Sequence, residues 1–388
     1  MDEASHCEEW TDMKFIFASD SFKGSLSSEW IADTLEETAR CFFPACETVK
    51  LCVADGGEGT VDAVIKASGG QYRTAAVHGP MGELTQAAYG VLPDKRVIIE
   101  MAAASGLPLV PSQRRNPMLA SSRGTGELIL DALQAGYRDI TLGLGGSATN
   151  DGGMGAMAAL GVRFLDEEGS ILPGRGADLG RVRRIDDSGI LDRVREAHIT
   201  LMCDVTNPLV GNQGATYTFG PQKGADPRQL AELEAGMEGY VRVLQDTYHI
   251  PIGQAPGGGA AGGLGAACMI FLQADFQSGI KALLQLTDFE KHLEGAQLVV
   301  TGEGRADGQS ADGKVLSGIG RAAARNHVPV IALTGCIGEG AQNLYDCGIT
   351  SIFPIVEGPV SLEESMARGE ELYRGAAERL FRLLKGVL

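Results

Sequence analysis

The chain has no uninterrupted apolar run near the roughly 18 residues that a membrane-spanning helix needs. Its first twelve residues, MDEASHCEEWTD, lack the basic region and apolar core of a signal peptide. Both absences favour a cytoplasmic protein with no membrane partner. Those twelve residues read as a disordered extension, with Met13 a candidate functional start and His6 and Cys7 carrying no metal reading. Positive charge is scarce, because 33 Lys and Arg stand against 50 Asp and Glu for a formal charge of −17. Without a basic field there is nothing to attract nucleic acid or an anionic surface, and an anionic small molecule would need locally placed cations. The eight cysteines never form a CxxC pair, and several lie inside apolar runs, so they read as reduced core thiols and not as disulfides or zinc ligands. The histidines at 78, 198, 249, 292 and 327 fall into no metal-binding spacing.

Glycine is what the chain has in excess, 54 of 388 residues against ordinary usage of roughly 7%. The glycines cluster without repeating, which argues for tight loops where backbone approaches a ligand and against a collagen-like or disordered chain. The length exceeds the roughly 250–300 residues at which single cores stop growing, so two domains with a cleft are expected. Short aliphatic runs at Phe15–Ala18, Val49–Val53, Val97–Met101, Ile140–Leu144, Ile199–Cys203, Leu298–Thr301 and Val330–Leu333 alternate with helical patterns. That alternation predicts α/β domains with mostly parallel sheets. Helices are predicted at Ser27–Arg40 with a Ser27 or Ser28 cap, at Gly126–Ala135 before Gly136, and at Ser317–Arg325. Thr74–Met101 differs: three β-rich runs joined by Gly79-Pro80 and Pro93-Asp94 read as an antiparallel addition. The strands near 15, 50, 300, 332 and 352 are expected in one sheet, giving a discontinuous domain of residues 13–79 plus 291–388 and an inserted α/β domain of 80–290. The alternative is two sequential domains divided near 180–195.

In open α/β sheets ligands lie beyond the carboxyl ends of the strands, and here those ends are polar. The first strand is followed by Ser19-Asp20-Ser21-Phe22-Lys23, the second by Asp55-Gly56-Gly57-Glu58, and a later one by Asp204-Val205-Thr206-Asn207. Glu100 follows another, and Thr301-Gly302-Glu303-Gly304-Arg305 the last set. Carboxylates and hydroxyls in this density suit Mg²⁺ and phosphates. Gly145-Gly146-Ser147-Ala148-Thr149-Asn150 opens a glycine-rich turn that reads as a phosphate cradle, with a following helix directing its dipole at an anion. Gly143, Gly145 and Ala148 also fit a weak dinucleotide fingerprint with Asp166 downstream. Gly257–Gly263 reads as a flexible loop or hinge. Gly308–Lys314 has Walker spacing, but Val315 stands where that motif needs Ser or Thr, which argues against a P-loop.

For phosphoryl transfer to a hydroxy acid, the expected catalytic set is Asp204, Asp55 and Lys23, with Asp204 and Asp55 also as metal ligands. Both acids stop an apolar strand abruptly; their structural alternative is a helix cap. Ser21, Arg123 and Asn207 are the expected substrate-binding residues, and Gly145, Gly146, Ser147, Asn150, Gly302 and Glu303 the expected ATP-binding ones. Arg305 and Lys314 are further candidate phosphate cations.

Nine segments in this order, among them ASDSFKGSLS (18–27), VADGGEGT (53–60), GLGGSATNDGGMG (143–155), CDVTNPLVG (203–211), FGPQKGA (219–225) and TGEGRADGQS (301–310), resemble the bacterial glycerate kinase family that lacks a P-loop. The resemblance implies ATP- and Mg²⁺-dependent phosphorylation of D-glycerate to 2-phosphoglycerate in glyoxylate or sugar-acid breakdown. It also implies two α/β domains facing across a cleft, one Rossmann-like, here the discontinuous one, and one flavodoxin-like. Competing readings are a glycerate 3-kinase, a non-catalytic small-anion sensor and a nucleotide-dependent dehydrogenase. The expected assembly is a monomer or homodimer.

Overall fold

A computed structural model describes residues 13–53, 57 and 59–387, so the expected extension at 1–12 and the residues Asp55, Gly56 and Glu58 lie outside the described residues. Among the described residues the strands are, in chain order, β1 (Lys14–Ser19), β2 (Glu47–Lys50), β3 (Gln71–His78), β4 (Leu84–Val91), β5 (Val97–Glu100), β6 (Asp139–Gly143), β7 (Arg163–Leu165), β8 (Arg184–Asp186), β9 (His198–Met202), β10 (Asp275–Gln277), β11 (Leu298–Ala306), β12 (Val330–Ile337) and β13 (Ser351–Pro354). Two compact units result, one of residues up to Ala54 with Ile280–Leu388, the other of Asp55–Gly279. The sequence had put the junctions at 79/80 and 290/291; the full-length β3–β4 ladder, from Gln71↔Val91 to His78↔Leu84, carries residues 71–78 into the middle sheet.

The discontinuous unit holds a five-stranded sheet ordered β13-β12-β11-β1-β2, every pair parallel. Counted along the unit this is 2-1-3-4-5, the flavodoxin-like winding. The Rossmann-like label expected for this unit is therefore corrected. Strand order is a long-range pairing that the local alternation of apolar runs does not encode. Its β1 is buried along Phe15–Ser19, as a strand covered by helices on both faces must be. The first of those helices, Ser28–Phe42, starts where the Ser27 hydroxyl accepts the Trp30 N–H at 3.2 Å, a cap that stabilises by about 1 kcal/mol. Its buried positions Ile31, Leu35 and Ala39 recur at helical spacing. Beneath it Phe15 meets Phe43 and Phe381 edge-on at 5.4 and 5.5 Å, contacts that each add roughly 0.5–1.5 kcal/mol to the area they bury.

The middle unit holds a six-stranded sheet, β10-β9-β6-β5-β4-β3. Four strands from β5 to β10 are parallel, while β4 and β3 extend the edge antiparallel, as the turn signals predicted. The helix Arg123–Gln134 buries Leu128, Ile129, Ala132 and Leu133. It stops at Gly136, whose φ of 95° is a left-handed conformation suited to glycine. A small antiparallel pair, β7 with β8, completes the unit.

Candidate active site

In the discontinuous unit the strand order reverses between β1 and β11, so the crevice for a ligand lies beyond their carboxyl ends. Ser21 and Lys23 follow β1 there, while Gly302 and Glu303, expected after a strand ending at Thr301, lie within β11 alongside and just past the end of β1. Ser19 is in register with Gly302, and the Asp20 N–H donates to the Gly302 carbonyl at 2.9 Å. Asp20 in turn accepts the Ser21 N–H at 2.7 Å. Phe22 and Leu26 pair across a tight loop and are both buried, with Phe22 packed edge-on against Tyr373. Anchored at both ends, the loop presents Lys23 to solvent at its tip. Gly302 has a packing reason to be glycine, since a Cβ there would lie 2.1 Å from the Leu333 carbonyl.

Glu303 follows Gly302 and stands in register with Thr334. One of its carboxylate oxygens and the Thr334 hydroxyl are buried with no hydrogen-bond partner. Burial pushes the Glu303 carboxyl above its ordinary pKa, and the charges of Asp20 and Asp307 add to the shift. Arg305 is paired with Asp307 at 3.2 Å and Lys314 reaches Gln309 at 3.3 Å. Arg305 is thus held in a local ion pair, and Lys314 by a hydrogen bond to a neighbouring side-chain amide.

In the middle unit the turn after β6 departs from the cradle expectation. The helix that follows it, Met154–Ala159, has six residues, and its leading N–H groups are already occupied. Gly153 and Gly155 donate to Asp151 at 3.1 and 3.2 Å. The anion at this helix end is the protein's own carboxylate. Asn150, expected to donate to phosphate, is fully buried and donates to Thr216 Oγ1 at 3.2 Å. Its carbonyl oxygen and the Thr149 hydroxyl are buried without partners. Gly145 and Gly146 lead the turn, Gly146 with a φ of 73°, and Ser147 bridges to Gly106. The dinucleotide fingerprint is not realised, because Asp166 sits in a turn, accepting Ser170 N–H at 2.8 Å and pairing with Arg181 at 3.1 Å.

Asp204 follows β9 and is exposed; its Oδ1 accepts the Gly279 N–H at 2.8 Å at the start of the helix Gly279–Leu286. Glu100, the last residue of β5, accepts the Val61 N–H of the helix Thr60–Ser68 at 2.7 Å. The strand-end acids here therefore double as helix-end acceptors. Asn207 uses its amide to hold Gln213 O at 2.8 Å. Arg123 is the first residue of its helix, not a loop residue, and its guanidinium meets Glu127 at 2.9 Å. Glu127 also binds the His78 N–H and ring. Burial works against the charge on Glu127, yet the His78 N–H, Arg123 and the His78 ring hold its pKa below the ordinary value.

Two residues carry an environment that no pattern announced. Lys223 is 2% exposed, and its Nζ donates to the Thr149 carbonyl at 2.6 Å. Burial drops its pKa to about 7, with the charge of Asp151 opposing the shift. Asp151 is wholly buried and burial raises its pKa, against hydrogen bonds from Ser122, Gly153 and Gly155. Gly257–Gly263, expected as a hinge, is a buried turn packed on the same loop. Gly262, with φ of 67°, accepts the Gly152 N–H at 3.0 Å, and a Cβ on it would lie 2.0 Å from the Thr149 carbonyl.

The described residues contain no group of three or more His, Cys, Asp or Glu placed to hold a metal. Mg²⁺ commonly takes one or two carboxylates, keeps several waters and completes its shell with substrate phosphates. Asp20 and Glu303, beside the unpartnered oxygens of Glu303 and Thr334, fit that mode.

A doubly wound parallel sheet with acids, hydroxyls and glycines at its strand ends defines the class: an α/β protein built to bind small molecules there. The glycerate kinase family profile matches residues 15–385. The chain is 44% identical to a glycerate kinase of Bacillus cereus over 92% of this chain and 94% of that one. It is 43% identical to the glycerate 2-kinase of Escherichia coli over 97% of both. A crystal structure from Salmonella typhimurium LT2, provisionally assigned as glycerate kinase 2, superposes with a TM-score of 0.83 at 40% identity, covering 96% of this chain and 98% of that one. The chain belongs to the glycerate kinase family.

Proposed function

We propose that this chain transfers the γ-phosphoryl group of ATP to the 2-hydroxyl of D-glycerate, giving ADP and 2-phosphoglycerate, in the cytoplasm and in glyoxylate or sugar-acid catabolism. ATP as donor follows from membership of a kinase family. What carries the choice of hydroxyl is the identity of 43% across 97% of both chains with a protein named glycerate 2-kinase. In the reaction the 2-oxygen forms a bond to the γ-phosphorus, the bond to the β–γ bridging oxygen breaks, and the hydroxyl proton leaves to a carboxylate.

Asp204 is the carboxylate proposed to take that proton, since it is exposed at a strand end. Lys23, also exposed, and Arg123 supply cations for the glycerate carboxylate, with Ser21 and Asn207 as hydrogen-bonding partners. Gly145, Gly146, Ser147, Gly302 and Glu303 form the proposed nucleotide set, without Asn150, which is buried against Thr216. Of these, Gly302 and Glu303 stand at the reversal of strand order. When bound, Mg²⁺ neutralises charge on the transferring group. Asp204 and Asp55 are proposed ligands from the sequence, and Glu303 from its buried oxygen described above, with Asp20 near enough for its charge to act on Glu303.

The test is incubation of the full chain with ATP, Mg²⁺ and D-glycerate, following ADP release and the product by phosphorus NMR. Formation of 2-phosphoglycerate is expected. A 3-phosphoglycerate signal would establish the 3-kinase reading, and no glycerate-dependent ADP would leave the anion sensor.

A further inference from the structure

The Gly145–Gly153 turn is held from beneath by polar groups cut off from water. Thr149, Asn150 and Asp151 are each 0% exposed, an uncommon run in a loop, because buried polar groups must find partners inside the protein. The Thr149 carbonyl finds Lys223 Nζ at 2.6 Å, Asn150 finds Thr216, and Asp151 finds Ser122. Lys223 comes from a short turn, Pro221–Lys223, between the helices Ala215–Phe219 and Pro227–Tyr248. It is among the largest fully buried side chains of the chain. Lysine is rarely buried without a charged or strongly polar partner, and an apolar residue of the same length would fill the space with no desolvation cost. Stability alone therefore does not explain the amine.

We propose that Lys223 is a positioning residue that fixes the glycine-rich turn through the Thr149 carbonyl, and through that geometry sets nucleotide affinity. The second half of the proposal rests on the reading of Gly145–Ser147 as part of the nucleotide site. A single carbonyl in mid-turn, gripped by the amine at 2.6 Å and closely approached by Gly262, leaves the turn little freedom to tilt. The leading glycines project from this fixed point. Without the amine, the Thr149 carbonyl loses its buried donor, and the turn must rearrange to rehydrate it.

Amide hydrogen exchange by mass spectrometry on the full chain, with ATP and glycerate kinetics on the same samples, tests this. In Lys223→Met, peptides across 145–155 should exchange at least tenfold faster while peptides covering β5, β6 and β9 stay within twofold. KM for ATP should rise at least tenfold with KM for glycerate changed less than threefold. Lys223→Gln keeps a donor on a shorter arm and should show the same loop-confined pattern more weakly, and it decides the matter if the Met variant does not fold. Unchanged loop exchange, or faster exchange spread over the whole sheet, would overturn the positioning role. A loosened turn with unaltered ATP affinity would overturn the link to nucleotide while leaving the kinase reading intact. Absence of glycerate-dependent ADP release in the wild type would remove the kinase reading, and the exchange data would still decide the clamp.

Discussion

Asp151 accepts both the backbone N–H and the hydroxyl of Ser122, at 2.7 and 2.8 Å. Ser122 immediately precedes the helix that begins at Arg123, and Asp151 immediately precedes the turn that enters Met154–Ala159. One carboxylate thus ties together two helix starts, with Gly153 and Gly155 also donating to it. Asparagine has the same size but turns one acceptor into a donor, which would face N–H groups already seeking an acceptor. Asp151→Asn should lower unfolding stability by about 3 kcal/mol, the scale of a broken buried charged network. Urea denaturation followed by circular dichroism checks this. A midpoint like that of the wild type would show that the network contributes little.

The lysine beside this network makes a pH prediction. Its folded pKa is lowered to about 7 from 10.5, so between those values the unfolded chain binds more protons than the folded one. Stability from this group therefore rises as pH rises through the window, by up to about 1.4 kcal/mol per pH unit. Asp151 acts with the opposite sign, because burial raises its folded pKa and its contribution falls as pH rises through that value. The difference in Tm between wild type and Lys223→Met should move in favour of the wild type from pH 7 to pH 9. A difference that stays flat over that range would mean the folded protein keeps the amine protonated, as the unfolded chain does.

Local features of the fold were legible and long-range ones were not. Ser27 at the head of Ser28–Phe42 and Gly136 at the end of Arg123–Gln134 act through neighbours in sequence, so residue type alone announced them. The same holds for the turns joining β3, β4 and β5. The 2-1-3-4-5 order of the discontinuous unit turns on one pairing made far apart in sequence, β1 with β11 (Phe15↔Leu298), and the alternation of apolar runs is compatible with several orders. Ser21 and Lys23 were placed after β1 by the positional rule for strand ends, whereas Gly302 and Glu303 lie inside β11, which continues to Ala306 beyond the apolar run that marked it. Lys223 and Asp151 were missed because a buried charge leaves no period in the sequence. The only trace was the lysine's place between glycines in FGPQKGA. Asn150 was read as a ligand contact from the composition of its turn, whereas packing buries its side chain against Thr216.

Arg123 separates a structural from a substrate role cleanly. Its pair with Glu127 is an i,i+4 contact on a helix, with the arginine side chain 50% exposed, and such pairs contribute about 0.3–0.5 kcal/mol. Arg123→Ala should therefore leave the urea midpoint nearly unchanged. If the guanidinium also meets the glycerate carboxylate, KM for glycerate should rise at least tenfold with kcat altered much less, since a contact equal in ground and transition states is lost. An unchanged KM would leave Arg123 as the surface partner of Glu127 alone.

Asp204 and Lys23 carry the chemical proposal most directly, and each has a rival explanation that kinetics can separate. The Asp204 carboxylate accepts the Gly279 N–H, so its loss also weakens a helix start, an effect of about 1 kcal/mol in stability. Turnover distinguishes the two roles, because a positioned general base contributes about 10²–10⁴ in rate. Asp204→Asn retains a side-chain acceptor for Gly279 and removes the base. It should fold with nearly wild-type stability and lose at least a hundredfold in kcat, and Asp204→Ala should lose the same rate with the added stability cost. Lys23, at the tip of the loop anchored by Phe22 and Leu26, has no such structural duty, so Lys23→Ala should lower turnover at least a hundredfold with no shift in Tm. Near-normal kcat in Asp204→Asn would confine that aspartate to helix capping, and near-normal kcat in Lys23→Ala would make its exposure ordinary surface chemistry.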